Sequence, residues 1–265
     1  MRDEQVSFVG SLGQTIPAFV AVPDDSATAY PAVIVIHEIW GLDDHIKGVA
    51  RRLAQEGYLA LAPQLYVGEF EQAMRPERIM AGMQVMRSAP AEVQRDPRLL
   101  EQSLADRPAD ERAAIMTLVK VMSAETRKRF RDDLLGAVSY LEQRPDVDPD
   151  KIASLGFCMG GGLAVALATQ ASNLWKTVIF YGDHPPLEDV PAIHAQVLGL
   201  YGGTDARITD NVPAFSAAMA QAGRSFTSHV YPGAGHAFFN DSRPAAYHQE
   251  AAHDAWLKVK AFLAS

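Results

Sequence analysis

This 265-residue chain has one cysteine, Cys158, so no disulfide can form within it. A lone thiol is the pattern of a reducing compartment. Basic tracts are missing too. There are 24 Lys and Arg against 32 Asp and Glu, a formal net charge of −8, and no Lys/Arg-rich helix face, so nucleic acid is not expected as a partner. No apolar run comes near the roughly 20 residues that a membrane helix needs. The opening Met1-Arg2-Asp3-Glu4-Gln5 carries charges of both signs and leads into no apolar stretch, so it does not read as a signal peptide, and a cytoplasmic location is expected. The eight histidines show no H-E-x-x-H or similar spacing, so neither a metal nor another cofactor is expected. Internal repeats and low-complexity linkers are also absent.

What is present is an ordinary globular composition, with 48% apolar and 21% charged residues, long enough to bury a core without staples. Strands are expected at 6–9 and 16–22, joined near Gly10 and Gly13, and then at 32–36 and 58–62 with a helix at 44–55 between them. Residues 66–126 differ in texture. They are rich in Met, Arg, Glu and Gln, with prolines at 76, 90, 97 and 108, and read as several short helices with no strand. Methionines 74, 80, 83, 86, 116 and 122 fall in this stretch, where helix packing explains them better than a ligand surface. An amphipathic helix at 126–144 follows. Strands at 152–156, 177–181, 196–201 and 225–231 then alternate with helices at 160–170, 212–221 and 244–263. Such alternation implies an α/β fold with a mostly parallel central sheet and helices on both faces. The expected organisation is one domain over 1–265 with a helical cap inserted at 66–126. In such sheets ligands bind beyond the carboxyl ends of the strands.

The sharpest motif is Gly156-Phe157-Cys158-Met159-Gly160-Gly161-Gly162, which leaves a strand and opens a helix. It is the G-x-S-x-G nucleophile elbow with cysteine in place of serine. The tight turn projects the nucleophile, small neighbours let strand and helix approach, and the Met159 N–H would face a developing oxyanion. The helix N-terminus is expected to favour a thiolate. An acid and a histidine should follow in that order. Asp205, in Gly202-Gly203-Thr204-Asp205, and His236, in Gly233-Ala234-Gly235-His236, both sit just beyond expected strands, with Asp183 and Asp210 as reserve acids. His236 would move the thiol proton and activate water, and Asp205 would fix its tautomer.

With these segments, His37-Glu38-Ile39-Trp40-Gly41-Leu42 and Gly235-His236-Ala237-Phe238 included, the sequence resembles the dienelactone hydrolase (carboxymethylenebutenolidase-like) family over nearly the whole chain outside 66–126. The resemblance implies an α/β-hydrolase fold, and a Cys158–His236–Asp205 triad that cleaves a lactone or ester through a thioester. It implies that Glu38 contacts the thiol and helps to deprotonate it, and that Ile39 supplies the second oxyanion N–H beside Met159. Tyr181 matches an active-site aromatic of the family. Trp40, Phe238 and Arg207 are further candidates to touch substrate. The best-studied members hold a substrate carboxylate with arginines, one of them four residues past the catalytic histidine. That position is Asn240 here, and Arg207, Arg243, Arg78 and Arg87 are the candidates to take its place. The expected partner is a small lactone or ester, met by a monomer or small homo-oligomer with no membrane attachment. The rival readings are a general carboxylesterase on the same triad, a non-catalytic relative that binds a small ligand, and a redox sensor built on the one thiol.

Overall fold

The computed structural model describes residues 1–24, 29–90, 92–93 and 96–265. Among these, eight strands form one sheet: β1 (Arg2–Val9), β2 (Thr15–Val22), β3 (Tyr30–Ile36), β4 (Leu59–Pro63), β5 (Val147–Phe157), β6 (Lys176–Phe180), β7 (Gln196–Gly202) and β8 (Phe226–Tyr231). The spatial order is β1-β2-β4-β3-β5-β6-β7-β8. β1 and β2 are antiparallel, as are β2 and β4, and every other neighbouring pair is parallel. This is the mostly parallel α/β arrangement expected.

Local chemistry accounts for the elements that carry the sheet. β3 (Tyr-Pro-Ala-Val-Ile-Val-Ile) is buried at all but Pro31, the habit of a strand covered on both faces. The first helix, α1 (Asp44–Gln55), is capped by Asp43, whose carboxylate accepts from the Ile46 N–H at 3.0 Å. It buries Ile46, Val49, Ala50, Leu53 and Ala54, one stripe at helical spacing, and Gly57 turns the chain away at φ 91°.

The sheet divides two cores. On one face α1 and the last helix, α10 (Gln249–Ala264), pack over Val33, Val35, Leu155 and an aromatic group of Phe157, Phe180, Tyr181, Phe238 and Phe239. On the other, α6 (Ala124–Glu142), α7 (Met159–Ala168) and α9 (Val212–Gln221), which follows the single turn α8 (Ala206–Thr209), cover Ile34, Ile36, Ile152 and Ile179. Between β4 and α6 run four described helices and no strand: α2 (Glu69–Ala73), α3 (Pro76–Ser88), α4 (Pro97–Ser103) and α5 (Ala109–Val121). They hold a small core of their own around Leu100, Leu104 and Ile115, and join the main one through Phe70, Met74, Ile79, Leu118 and Val121.

Several boundaries depart from expectation, among them that of β5, which begins at Val147 and not at 152. β1 begins at Arg2, four residues early, because an edge strand needs only backbone pairing and only Phe8 of it is buried. Pro63 is the last residue of β4 and does not merely end it, pairing with Ala18 of β2. The closing helix starts at Gln249, not at 244. His248 caps it with a ring nitrogen 3.3 Å from the Ala251 N–H, and turns tied by Arg243 N–H to Asn240 O and Tyr247 N–H to Arg243 O occupy the stretch before it.

Candidate active site

Five consecutive parallel strands end at one rim, and each delivers a polar side chain just past its last residues: Glu38 after β3, Cys158 after β5, Tyr181 after β6, Asp205 after β7 and His236 after β8. Cys158 adopts φ 55°, ψ −118°, in a turn so close that a Cβ on Gly156 would lie 2.0 Å from Gly160 O, and one on Gly160 would lie 2.4 Å from Ile36 O. Only glycines allow β5, α7 and the end of β3 to meet there. Tyr181 (φ 40°) and Ala237 (φ 63°) are the other non-glycine residues with left-handed φ among the described residues.

His236 Nδ1–H donates to Asp205 Oδ2 at 2.5 Å, which leaves Nε2 as a lone-pair acceptor. Asp183 pairs instead with Arg127 at 3.1 Å and Arg207 at 3.7 Å, so of the candidate acids Asp205 alone reaches the imidazole. The His236 ring stands edge-on to Tyr181, with centroids 5.2 Å apart.

Glu38 is 2% exposed. Two neutral donors hold it: the Tyr181 hydroxyl on Oε1 at 3.1 Å and the Asn240 amide on Oε2 at 2.5 Å. Burial pushes its carboxyl above the usual range, against the pull of these donors and of the charge on His45. Asn240, noted from sequence as a missing arginine, thus proves to be a buried partner of Glu38.

The pull of the helix N-terminus toward a thiolate left the resting protonation of Cys158 open in the sequence. Burial, and then the negative charge of Glu38, push the Cys158 thiol up to about 12, outweighing the Met159 N–H and the Arg207 charge. The helix terminus contributes in the direction foreseen, but desolvation is the larger effect. Among the described residues, no hydrogen bond joins the sulfur to His236, so the resting group is a neutral thiol.

Ile39 and Met159, the candidate oxyanion residues, are linked by a side chain that sequence reading passed over. The Tyr66 hydroxyl donates to Ile39 O at 2.9 Å and lies 4.0 Å from Met159 Sδ. Tyr66 is buried against His37 and Phe130. A Leu-Tyr pair after Pro63 was the available signal, but a tyrosine beyond a strand is usually packing.

The remaining candidates fall in different places. Tyr181 and Phe238 are both fully buried, Tyr181 behind Glu38 and Phe238 among Phe180, Tyr181 and Tyr231, so neither presents a surface to a ligand in this conformation. Trp40 is partly open and lies under the Arg243 guanidinium, 3.4 Å from its ring centre. These two face Met80, Met83 and Arg87 of α3 across a cleft of about 430 Å³. Arg78 is on the far side of α3, in a separate pocket with Glu111 and Ile115. Arg207 is exposed beside Asp183. No helix among the described residues is long and apolar enough to cross a membrane.

Comparison with known proteins agrees with this fold. Residues 16–265 match the model of the dienelactone hydrolase family. A protein of Saccharolobus solfataricus provisionally named as a carboxymethylenebutenolidase is 42% identical over 262 residues, covering 98% of each chain. One of Salmonella typhimurium with the same provisional name is 32% identical, over 96% of this chain and 84% of its own. Among solved structures, a provisionally assigned dienelactone hydrolase from Klebsiella pneumoniae superposes with a TM-score of 0.72 at 28% identity over the full length of both chains. A dienelactone hydrolase-like promiscuous phosphotriesterase from metagenomic libraries superposes at 0.76, with 20% identity over 99% of this chain and 97% of its own, and shares the fold.

Proposed function

Since this chain belongs to the dienelactone hydrolase family, we propose that it is a hydrolase of lactones or esters that works through Cys158, His236, Asp205 and Glu38 by way of a thioester. The observation that carries the reading is the joint placement of a cysteine on a strained strand-to-helix turn and a histidine locked by Asp205 with its Nε2 free.

Glu38, made more basic by burial, takes the proton of the Cys158 thiol when substrate fills the site. The sulfur attacks the acyl carbon, and the carbonyl oxygen gathers charge between the Met159 and Ile39 N–H groups. Loss of one such donor commonly slows turnover about 10²–10³-fold. The C–O bond breaks and the leaving oxygen takes the proton held by Glu38, giving a thioester. His236 Nε2 then removes a proton from water, hydroxide adds to the thioester, and the expelled sulfur recovers that proton from the imidazolium. A thiolate is a better leaving group than a simple alkoxide, so enol lactones and aryl esters, whose own oxygen departs readily, suit this nucleophile. The neutral Asn240 beside Glu38 supports a second reading on the same residues, a broader esterase that needs no substrate carboxylate.

The test is to mix wild-type protein with an aryl ester and quench within one turnover. A covalent acyl adduct should map to Cys158 by mass spectrometry, and Cys158→Ala should hydrolyse neither aryl ester nor enol lactone above background. Wild-type rates in Cys158→Ala sink the reading.

A further inference from the structure

On the side of the elbow away from α3 lies a second opening that the hydrolytic groups do not use, a cavity of about 290 Å³. Arg127, Asp183, His184, Asn211 and Phe215 line it. Its position ties it to the nucleophile. Arg127 lies across the first turn of α7, where a Cβ on Gly162 would come within 2.5 Å of its Nη2. Asp183 follows Tyr181 by two residues and bonds Arg127, and it also pairs loosely with Arg207, two residues past Asp205.

The chemistry of the lining is mixed. Arg127 engages Asp183 through one nitrogen, which leaves further N–H donors. His184 Nδ1 meets the Pro185 carbonyl at 2.7 Å, so Nδ1 carries a hydrogen, and in that tautomer Nε2 is an acceptor. Asn211 Nδ2 donates to Arg207 O at 2.9 Å, and its Oδ1 holds no hydrogen bond among the described residues. The His184 and Phe215 rings stack in parallel, with centroids 5.5 Å apart, and give the cavity an aromatic wall. A carboxylate only accepts hydrogen bonds. It would face the acceptors His184 Nε2 and Asn211 Oδ1 and would stand beside the negative charge of Asp183, which already offsets that of Arg127 and Arg207. A hydroxyl both donates and accepts, and a ring bearing several of them satisfies donors and acceptors together while its apolar face lies on the aromatic wall.

We propose that this cavity is a substrate subsite for a hydroxylated ring, the size of a single sugar, carried by the ester or lactone. The proposal rests on the reading of Cys158 as the nucleophile only for its meaning in turnover; the binding itself does not require it. The experiment uses two uncleavable probes, methyl β-glucopyranoside and tetrahydropyran, with wild-type protein and saturation-transfer NMR titration. The sugar should bind about tenfold or more tightly than the bare ring. Asn211→Leu and His184→Phe, which removes the acceptor and keeps the stack, should each shrink that preference about three- to tenfold, the worth of one hydrogen bond. No preference in wild type, including no binding of either probe, overturns the proposal, as does a preference that both variants leave intact. Failure to trap a thioester on Cys158 would instead remove the hydrolytic reading and leave this result standing.

Discussion

Asn240 donates its amide to Glu38 Oε2 across 202 residues of sequence, and its own carbonyl oxygen is held by the Ser242 N–H at 3.1 Å and hydroxyl at 2.6 Å. The two serine donors fix which end of the amide faces Glu38. The carboxylate therefore meets a neutral donor where an arginine would bring full charge. Asn240→Asp keeps the shape and sets two carboxyl groups together, which raises the pKa of one of them. Glu38 should then stay protonated to higher pH. The rising limb of the pH profile of kcat/KM on an aryl ester should move up by about one to two pH units, a loss of roughly 10- to 100-fold on that limb that fades as pH rises. A flat pH–rate profile parallel to wild type would contradict the role given to this pair.

Tyr66 offers a separate check on the oxyanion residues. Tyr66→Phe removes one hydroxyl, frees the Ile39 carbonyl and leaves the ring packing with His37 and Phe130 in place. If that hydroxyl, by anchoring the Ile39 carbonyl, holds residue 39 so that its own N–H, on the preceding Glu38–Ile39 peptide, faces the oxyanion, kcat should drop about tenfold with KM little changed, because that interaction forms in the transition state. An effect confined to melting temperature would assign Tyr66 to packing alone.

Glu38 also shapes stability. Its folded pKa is raised, chiefly by burial, so the folded chain holds its proton to higher pH than the unfolded chain does. The folded state therefore loses stability as pH rises from the ordinary carboxyl range through the folded pKa. Glu38→Gln carries no charge to bury. Relative to wild type it should gain in urea midpoint as pH climbs from 4 to 8, while hydrolysis is lost. An equal midpoint difference at all pH values would count against an ionising, buried Glu38.

His37 works in the opposite sense. Burial lowers its pKa to about 4, and its Nε2 accepts the Leu65 N–H at 3.3 Å, a bond that protonation abolishes. Between the unfolded value near 6.5 and the folded one, the unfolded chain binds more protons. The contribution is full above 6.5 and is lost as pH falls through about 4, amounting to about 3 kcal/mol. Urea melts at pH 7, 5 and 4, beside the same series for His37→Gln, should show an acid-linked loss larger in wild type by about this amount, with the part due to other groups common to both.

Why were some of these groups legible and others not? Cys158, Asp205 and His236 could be read because each lies one turn beyond a strand, in an order that the parallel sheet imposes, and glycines mark each turn. The strands themselves were legible from their β-branched runs. Asn240 and Tyr66 could not be read in the same way. Their partners lie far off along the chain, and a neutral amide or a phenol near a strand end has many ordinary uses. The protonation of Cys158 escaped for another reason. A helix terminus is visible in sequence, but the desolvation that outweighs it is a sum over every atom folded around the sulfur. Phe238 follows His236 closely enough to suggest contact with substrate, yet the turn at Ala237 sends its ring inward.

The left-handed backbone at Cys158, Tyr181 and Ala237 has a consequence for anyone who would toughen this molecule. L-residues are uneasy there by roughly 1–2 kcal/mol apiece, so the reactive rim is where the fold is held tautest. Selection for heat resistance will be drawn to these turns, where slackening the chain is easiest. Each relaxation would also tilt a sulfur, a phenol or an imidazole away from its aim, so hardier variants found there should be slower ones. Gains without that penalty should come from the far edge of the sheet.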